Sequence, residues 1–159
     1  MDFDALKFNR IKEEAESFYK SLGEIYCPYF KEKVSFNRKG FEHLKFIGRG
    51  QARSEKDQFQ RFRLLHLAPQ VLGLTTTIQG VWNTSHFEEI KSNSRVEFLL
   101  KNVTYYEFIS VLTYKQNLRR VRIIVKQVEN SSKYFWSIIP DFKNKIGQTR
   151  AMGLELENE

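Results

Sequence analysis

Sulfur is nearly missing from this chain: among 159 residues there is one cysteine, Cys27. A lone thiol excludes an internal disulfide and any cysteine-rich zinc site, and it fits a reducing compartment. Histidine is almost as scarce. His43, His66 and His86 show no ligand spacing, and carboxylates do not gather on the basic stretches. No metal and no cofactor is therefore expected, and a two-metal nuclease is a poor fit. Long apolar runs are absent too, none approaching the roughly 18 residues that span a bilayer. The start, Met1-Asp2-Phe3-Asp4, lacks the basic opening and apolar run of a signal peptide. The expectation is a cytoplasmic protein with no membrane partner. Negative charge is in deficit, with 19 Asp and Glu against 26 Lys and Arg, a net charge of +7 and a pI near 9.5. The cations run through the body of the chain, so an anionic partner is favoured, nucleic acid being the commonest. Ordinary solubility charge is the competing explanation.

What is present suffices for one core. With 41% hydrophobic residues, the length predicts a single domain. Ile11, Ala15, Phe18 and Leu22 recur at helical spacing opposite Lys12, Glu13, Glu14, Glu16 and Lys20, and Gly23 is a natural stop. Residues 1–23 thus form an amphipathic helix whose charged face is solvated or docks a partner. Residues 24–142 form the main domain. Residues 143–159, ending in Glu155, Glu157 and Glu159, read as a loosely ordered tail.

The aromatic connector Ile25 to Phe30 contains Pro28 and leads to Lys33–Arg53, the most basic stretch. There Lys33, Arg38, Lys39, Lys45, Arg49 and Arg53 face only Glu42. Burying unpaired cations is expensive, so the stretch is expected to meet phosphate. Short strands are predicted at Val34, Phe36 and Phe41 to Ile47, with a turn at Asn37-Arg38-Lys39-Gly40, which puts His43 on or beside a strand edge. Gly48-Arg49-Gly50 reads as a tight loop able to approach an anion, although no P-loop Gly-Lys-Ser/Thr follows. Ser54 and Asp57 have capping-box form, and Phe59, Phe62, Leu65 and Leu67 give a helix from Glu55 to Leu67. Arg61 and Arg63 extend the basic surface along it.

From Thr75 onward the chain turns β-prone. Strands are predicted over Thr75 to Trp82, Val96 to Leu100, Tyr105 to Tyr114, Arg120 to Lys126 and Tyr134 to Ile139, with a hairpin loop at Glu129 to Lys133. The fold class is α+β: N-terminal helices packed on a four- to five-stranded antiparallel sheet.

Arg120, Arg122 and Lys126 share one strand face with Ile124, which implies that this face meets solvent or an anion. Trp136, beside Ser137, offers an aromatic surface for unpaired bases. Metal-free RNA cleavage needs a base for the ribose 2′-OH, cations for the phosphorane and an acid for the leaving oxygen. His43, Arg49, Arg53, Arg122 and Lys126 are suitable in type. A strand-edge structural role is the alternative for His43. His66 reads as packing or surface, and His86 has acidic neighbours that would repel phosphate.

These stretches carry a resemblance. Gly40-Phe41-Glu42-His43-Leu44, the Gly/Arg-rich turn, the helix Ser54 to Leu65, and the strands Arg120 to Lys126 and Lys133 to Ile139 are similar to the phage-associated branch of the barnase, EndoU, colicin D and RelE group of nucleases. The similarity covers roughly residues 34–140. It implies helices over a four-stranded antiparallel sheet and metal-independent endoribonuclease activity leaving a 2′,3′-cyclic phosphate, often in a toxin. It also implies an RNA substrate and an acidic antitoxin or immunity protein. By that pattern His43 is the acid or base, Arg49 or Arg53 with Arg122 and Lys126 holds phosphate, and Ser137 hydrogen-bonds to it. Lys45, Arg61, Arg63, Arg120 and Trp136 complete the nucleic-acid surface. A non-catalytic RNA- or DNA-binding module, or an interaction protein with an acidic partner, is the alternative. Oligomeric state is left open.

Overall fold

The computed structural model describes residues 4–48 and 50–140. The first helix, α1 (Ala5–Leu22), starts at Asp4, whose carboxylate accepts from the Leu6 and Lys7 amides, and ends at Gly23 with φ +60°. Its buried stripe is wider than the sequence reading: Phe8 and Tyr19 are buried along with Ala15, and Ile11, Phe18 and Leu22 pack beside them. Two short strands follow, β1 (Glu24–Cys27) and β2 (Glu32–Ser35). The aromatic connector is therefore in part a strand.

The largest departure from expectation comes next. The predicted strand from Phe41 to Ile47 is mostly a helix, α2 (Arg38–Lys45), followed by the two-residue strand β3 (Phe46–Ile47), which pairs with β4 (Gln51–Ala52). Asn37 is not a turn residue but the N-cap, its side chain accepting from Gly40 N at 3.2 Å. Phe41 and Leu44 are buried three apart, a helical spacing too short to recognise in a segment of eight residues. Gly40 lets this helix lie directly on the sheet: a Cβ there would overlap the Phe135 carbonyl and come within 2.6 Å of the Tyr19 hydroxyl.

The predicted helix over 55–67 is two, α3 (Glu55–Leu64) and α4 (Leu67–Leu74), and the second runs past Pro69. Proline is tolerated there because the first-turn N–H has no helical acceptor to lose. The Ser54 cap is as expected, with Oγ accepting from Asp57 N at 3.2 Å.

Four strands complete the described residues: β5 (Gly80–Ser92), β6 (Arg95–Tyr114), β7 (Asn117–Val128) and β8 (Tyr134–Pro140). The fold is α+β. Among the described residues the sheet has six strands instead of four to five, in the order β1-β2-β8-β7-β6-β5, and it is antiparallel apart from a single parallel pairing of Ser35 with Tyr134. The two segments 96–100 and 105–114 are one strand. The segment predicted from Thr75 begins at Gly80 and continues well beyond Trp82.

One face of the sheet is covered by helices. Val121, Ile123 and Val125 of β7 and Phe135 and Ile138 of β8 join Phe41, Phe62, Leu65 and Leu72 in the main core. At its centre Tyr19 lies 5.2 Å from Phe41 and 5.7 Å from Phe36, and Phe36 stacks on Phe135 at 5.1 Å. The opposite face carries the alternate residues. There Val103, Tyr105, Ile124 and Ile139 form a second, smaller cluster, interspersed with charged groups.

That face has a cover of its own. β5 and β6 pair outward from Asn102 as a two-stranded ribbon, beyond the last β6–β7 partner, Val103 with Val128. Trp82, Tyr105, Lys126 and Tyr134 form one rung across four strands. In a flat sheet Glu88, six residues beyond Trp82, would lie about 20 Å along the strand from that rung. Instead its Oε1 is 2.7 Å from Lys126 Nζ, so the ribbon curls back over the face.

Candidate functional site

The site forms where α2 and α3 meet the outer edge of β8. Beyond the Ser35 pairing no strand covers that edge among the described residues, so its carbonyls need other donors. His43 supplies one: Nδ1 lies 3.1 Å from the Trp136 carbonyl oxygen. Arg61 reaches the next, with Nη1 3.5 Å from the Ile138 carbonyl. His43 thus sits beside a strand edge, as expected, but is carried there by a helix.

The ring's partners favour one tautomer. Arg53 Nη2 is 3.3 Å from His43 Nε2, and a guanidinium can only donate. These two contacts suit the tautomer in which Nε2 accepts and Nδ1–H donates to Trp136. His43 is 5% exposed and stacks on the Trp136 indole at 4.0 Å and 23°. Arg53 also donates from Nε to the His43 carbonyl at 2.9 Å, locking the residue at both ends.

A chain of charge-assisted contacts extends from there. Asp57 Oδ2 lies 3.4 Å from Arg53 Nη1, Asp57 Oδ1 accepts from Arg61 Nε at 2.8 Å, and Arg61 Nη1 donates to Ser137 Oγ at 2.6 Å. Arg53, Asp57 and Arg61 are each four apart, one helical repeat. Asp57, expected only to cap, also bridges the two arginines.

Trp136 connects this cluster to the sheet face. Lys126 Nζ sits 4.1 Å from the indole centroid and 5.8 Å from the Tyr105 ring. Burial pushes the Lys126 pKa down. The Glu88 carboxylate opposes that shift, and Lys39, exposed on the first turn of α2, adds to it. Burial, and secondarily Glu88, raises the Tyr134 phenol above its ordinary value of 10.0, so it remains a proton donor.

The structure therefore brings His43, Arg53, Arg61, Trp136, Ser137 and Lys126 into one neighbourhood. Arg120, Arg122 and Lys126 share a face, as the alternation required, and that face does meet anions. They are the protein's own: Arg122 Nε donates to Glu107 Oε2 at 3.1 Å, and Lys126 pairs with Glu88. Neither carboxylate was singled out from the sequence, because residues paired across strands leave no local spacing. Other candidates stand apart. Arg120 is exposed toward the far end of β7. Arg63 lies over the Phe59 ring at 5.5 Å. Lys45 pairs with Glu42 at 3.0 Å and lies over Phe41 and Phe46. Arg49 and the tail of residues 143–159 lie outside the described residues.

Two further histidines take minor places, His66 5.4 Å from Tyr114 and His86 3.4 Å from Glu88. No helix among the described residues is long and apolar enough to cross a membrane. Compared with protein-family models, with characterised proteins and with solved structures, the chain matches none of them.

Proposed function

We propose that the domain is a metal-independent endoribonuclease of the toxin type, cleaving RNA in the cytoplasm by attack of the ribose 2′-OH to leave a 2′,3′-cyclic phosphate. The observation that carries this reading is the meeting of one imidazole, two guanidiniums and a hydroxyl, drawn from segments near residues 43, 53–61 and 137. In the tautomer its contacts suit, His43 has the lone pair a base needs, on Nε2, and that lone pair faces Arg53. A scissile phosphate is a better partner for the guanidinium than an imidazole is, because the contact gains a full negative charge. Drawn to phosphate, Arg53 releases Nε2 to take the 2′-OH proton, Arg61 and Ser137 stabilise the added charge of the phosphorane, and the Lys126 ammonium gives a proton to the 5′ oxygen as its bond to phosphorus breaks. Fixed basic groups at such a site also suit an antitoxin that presents carboxylates.

One specific observation favours a second reading, a non-catalytic nucleic-acid-binding module. His43 is buried, with both ring nitrogens already engaged, as in a group that fastens α2 to the β8 edge.

A single comparison separates the two. Purified protein is incubated with total RNA and the products are checked for cyclic phosphate ends, alongside His43→Ala. The ribonuclease reading expects cleavage, with a loss of roughly 10²- to 10⁴-fold in the variant. Salt-sensitive RNA binding without product, equal in both proteins, would transfer the conclusion to the binding module. Growth arrest on expression, relieved by the same substitution, tests the toxin role.

A further inference from the structure

On the polar face of the sheet, three hydrogen-bond donors with little to donate to lie in one neighbourhood, with the Glu88 carboxylate against one of them. Lys126 Nζ is 2.7 Å from Glu88 Oε1, and no second carboxylate is paired with it among the described residues. The Tyr134 hydroxyl, the Trp136 indole N–H and Glu88 Oε1 are fully buried, and none of the three has a hydrogen-bond partner, so the carboxylate meets Lys126 as an ion pair and leaves the phenol and the indole unused. Tyr134 is 5% exposed and lies on the same rung as Lys126, and its ring meets Trp136 edge-on at 6.0 Å. Leaving two buried donors unsatisfied is costly. A buried ammonium, a phenol and an indole N–H together present more donors than one carboxylate from a distant ribbon satisfies. Lys39 adds a second positive charge close enough to disfavour the Lys126 ammonium.

The segment that supplies Glu88 is poorly anchored. From Asn102 outward the ribbon has only two strands, and its outward face exposes Phe87, Val96, Phe98 and Leu100 instead of burying them. Two-stranded ribbons are marginal on their own. The carboxylate is held by the ion pair to Lys126, with His86 alongside at 3.4 Å.

We propose that Lys126, Tyr134 and Trp136 form a binding site for a phosphate group, and that the Glu88 carboxylate occupies it in the unliganded protein. A tetrahedral phosphate offers several acceptor oxygens where Glu88 offers two, so it can satisfy all three donors at once. Its arrival releases Glu88 and lifts the ribbon from the face. The inference deepens the ribonuclease reading and rests on it for the source of the phosphate, the backbone of RNA.

The test is calorimetric titration of the full chain, Glu88→Gln and Tyr134→Phe with two probes, inorganic phosphate and a non-cleavable 2′-O-methyl oligoribonucleotide. Thermal melts check that each variant folds. Removing the competing carboxylate charge is expected to tighten both probes about tenfold, and removing the phenol to weaken both several-fold. Unchanged affinity in a folded Glu88→Gln protein overturns the proposal. Should that variant not fold, unchanged affinity in Tyr134→Phe overturns it equally. A response to inorganic phosphate alone keeps the site and removes RNA as its source. Affinity that responds while RNA stays uncut counts against the ribonuclease reading and not against the site; RNA that is cut while affinity is unmoved does the reverse.

Discussion

The two faces of strand β7 divide the molecule's tasks. Toward the helices point Val121, Ile123 and Val125, all fully buried among apolar neighbours. Toward the other side point Arg122, Ile124 and Lys126, also buried, yet two of the three are cations held by carboxylates from β6 and β5. Burial of apolar surface stabilises at about 25 cal/mol per Å², whereas a buried ion pair often does no better than a hydrophobic replacement. One face therefore holds the fold together. The other keeps expensive groups in place, which is the pattern expected where a site and not stability decides the residues.

That contrast breaks most visibly on the helix side. Phe135 stacks on Phe36, touches Tyr19 and is fully buried. Phe135→Ala is expected to lose roughly 3–5 kcal/mol of unfolding free energy in denaturant titration, from lost transfer energy and a residual cavity. A loss under about 1 kcal/mol would show that this face is not the main support.

Alkaline pH attacks both faces, through two tyrosines. Burial raises Tyr19 and Tyr134 above the ordinary value of 10.0. Tyr19 also donates to the Asn37 carbonyl at 2.6 Å. Above pH 10 the unfolded chain gives up both phenolic protons while the folded one retains them. The unfolded state then binds fewer protons, and stability falls as pH rises. Below pH 10 both states are protonated and the two groups contribute no slope. Denaturation midpoints of the protein and of Tyr19→Phe should coincide in pH trend up to about 10 and diverge beyond it, the variant falling less steeply.

The sequence made the sheet's division legible and hid its covering. Alternation in Arg120 to Lys126 assigned the two faces correctly, because a period of two survives in any strand whose faces differ. α1 and the Ser54 cap were equally readable. α2 was not: eight residues give barely two turns of period, and Asn-x-x-Gly reads as a turn when its role is to cap a helix and admit close packing on Phe135. His43 and the cations are identified by type; the relay from Arg53 through Asp57 to Arg61 is not, because the four-residue spacing that carries it also fits a plain capping role for Asp57. Glu88 and Glu107 had no signal at all. Their partners lie 38 and 15 residues away in the chain and meet them only through strand register and the curl of a ribbon.

The smallest expected effect is also the sharpest test of the polar face. Lys126 is buried, and its pKa is pushed below the ordinary 10.5 despite the pairing with Glu88. A folded value below the unfolded one means the unfolded chain binds more protons between the two. Stability contributed at this position is therefore least at neutral pH and rises as pH climbs toward 10.5. The double substitution Lys126→Met with Glu88→Gln removes both charges and keeps the approximate volume of each side chain. It should leave the protein as stable at neutral pH or more stable by up to about 1 kcal/mol, and the difference should shrink as pH approaches 10.5. The same substitution should abolish phosphate binding. A helix-face residue cannot give that combination, since there any charge-free change that spares stability spares everything else. If the double variant instead loses several kcal/mol, Lys126 and Glu88 belong to the framework, and the two faces of β7 differ in chemistry without differing in purpose.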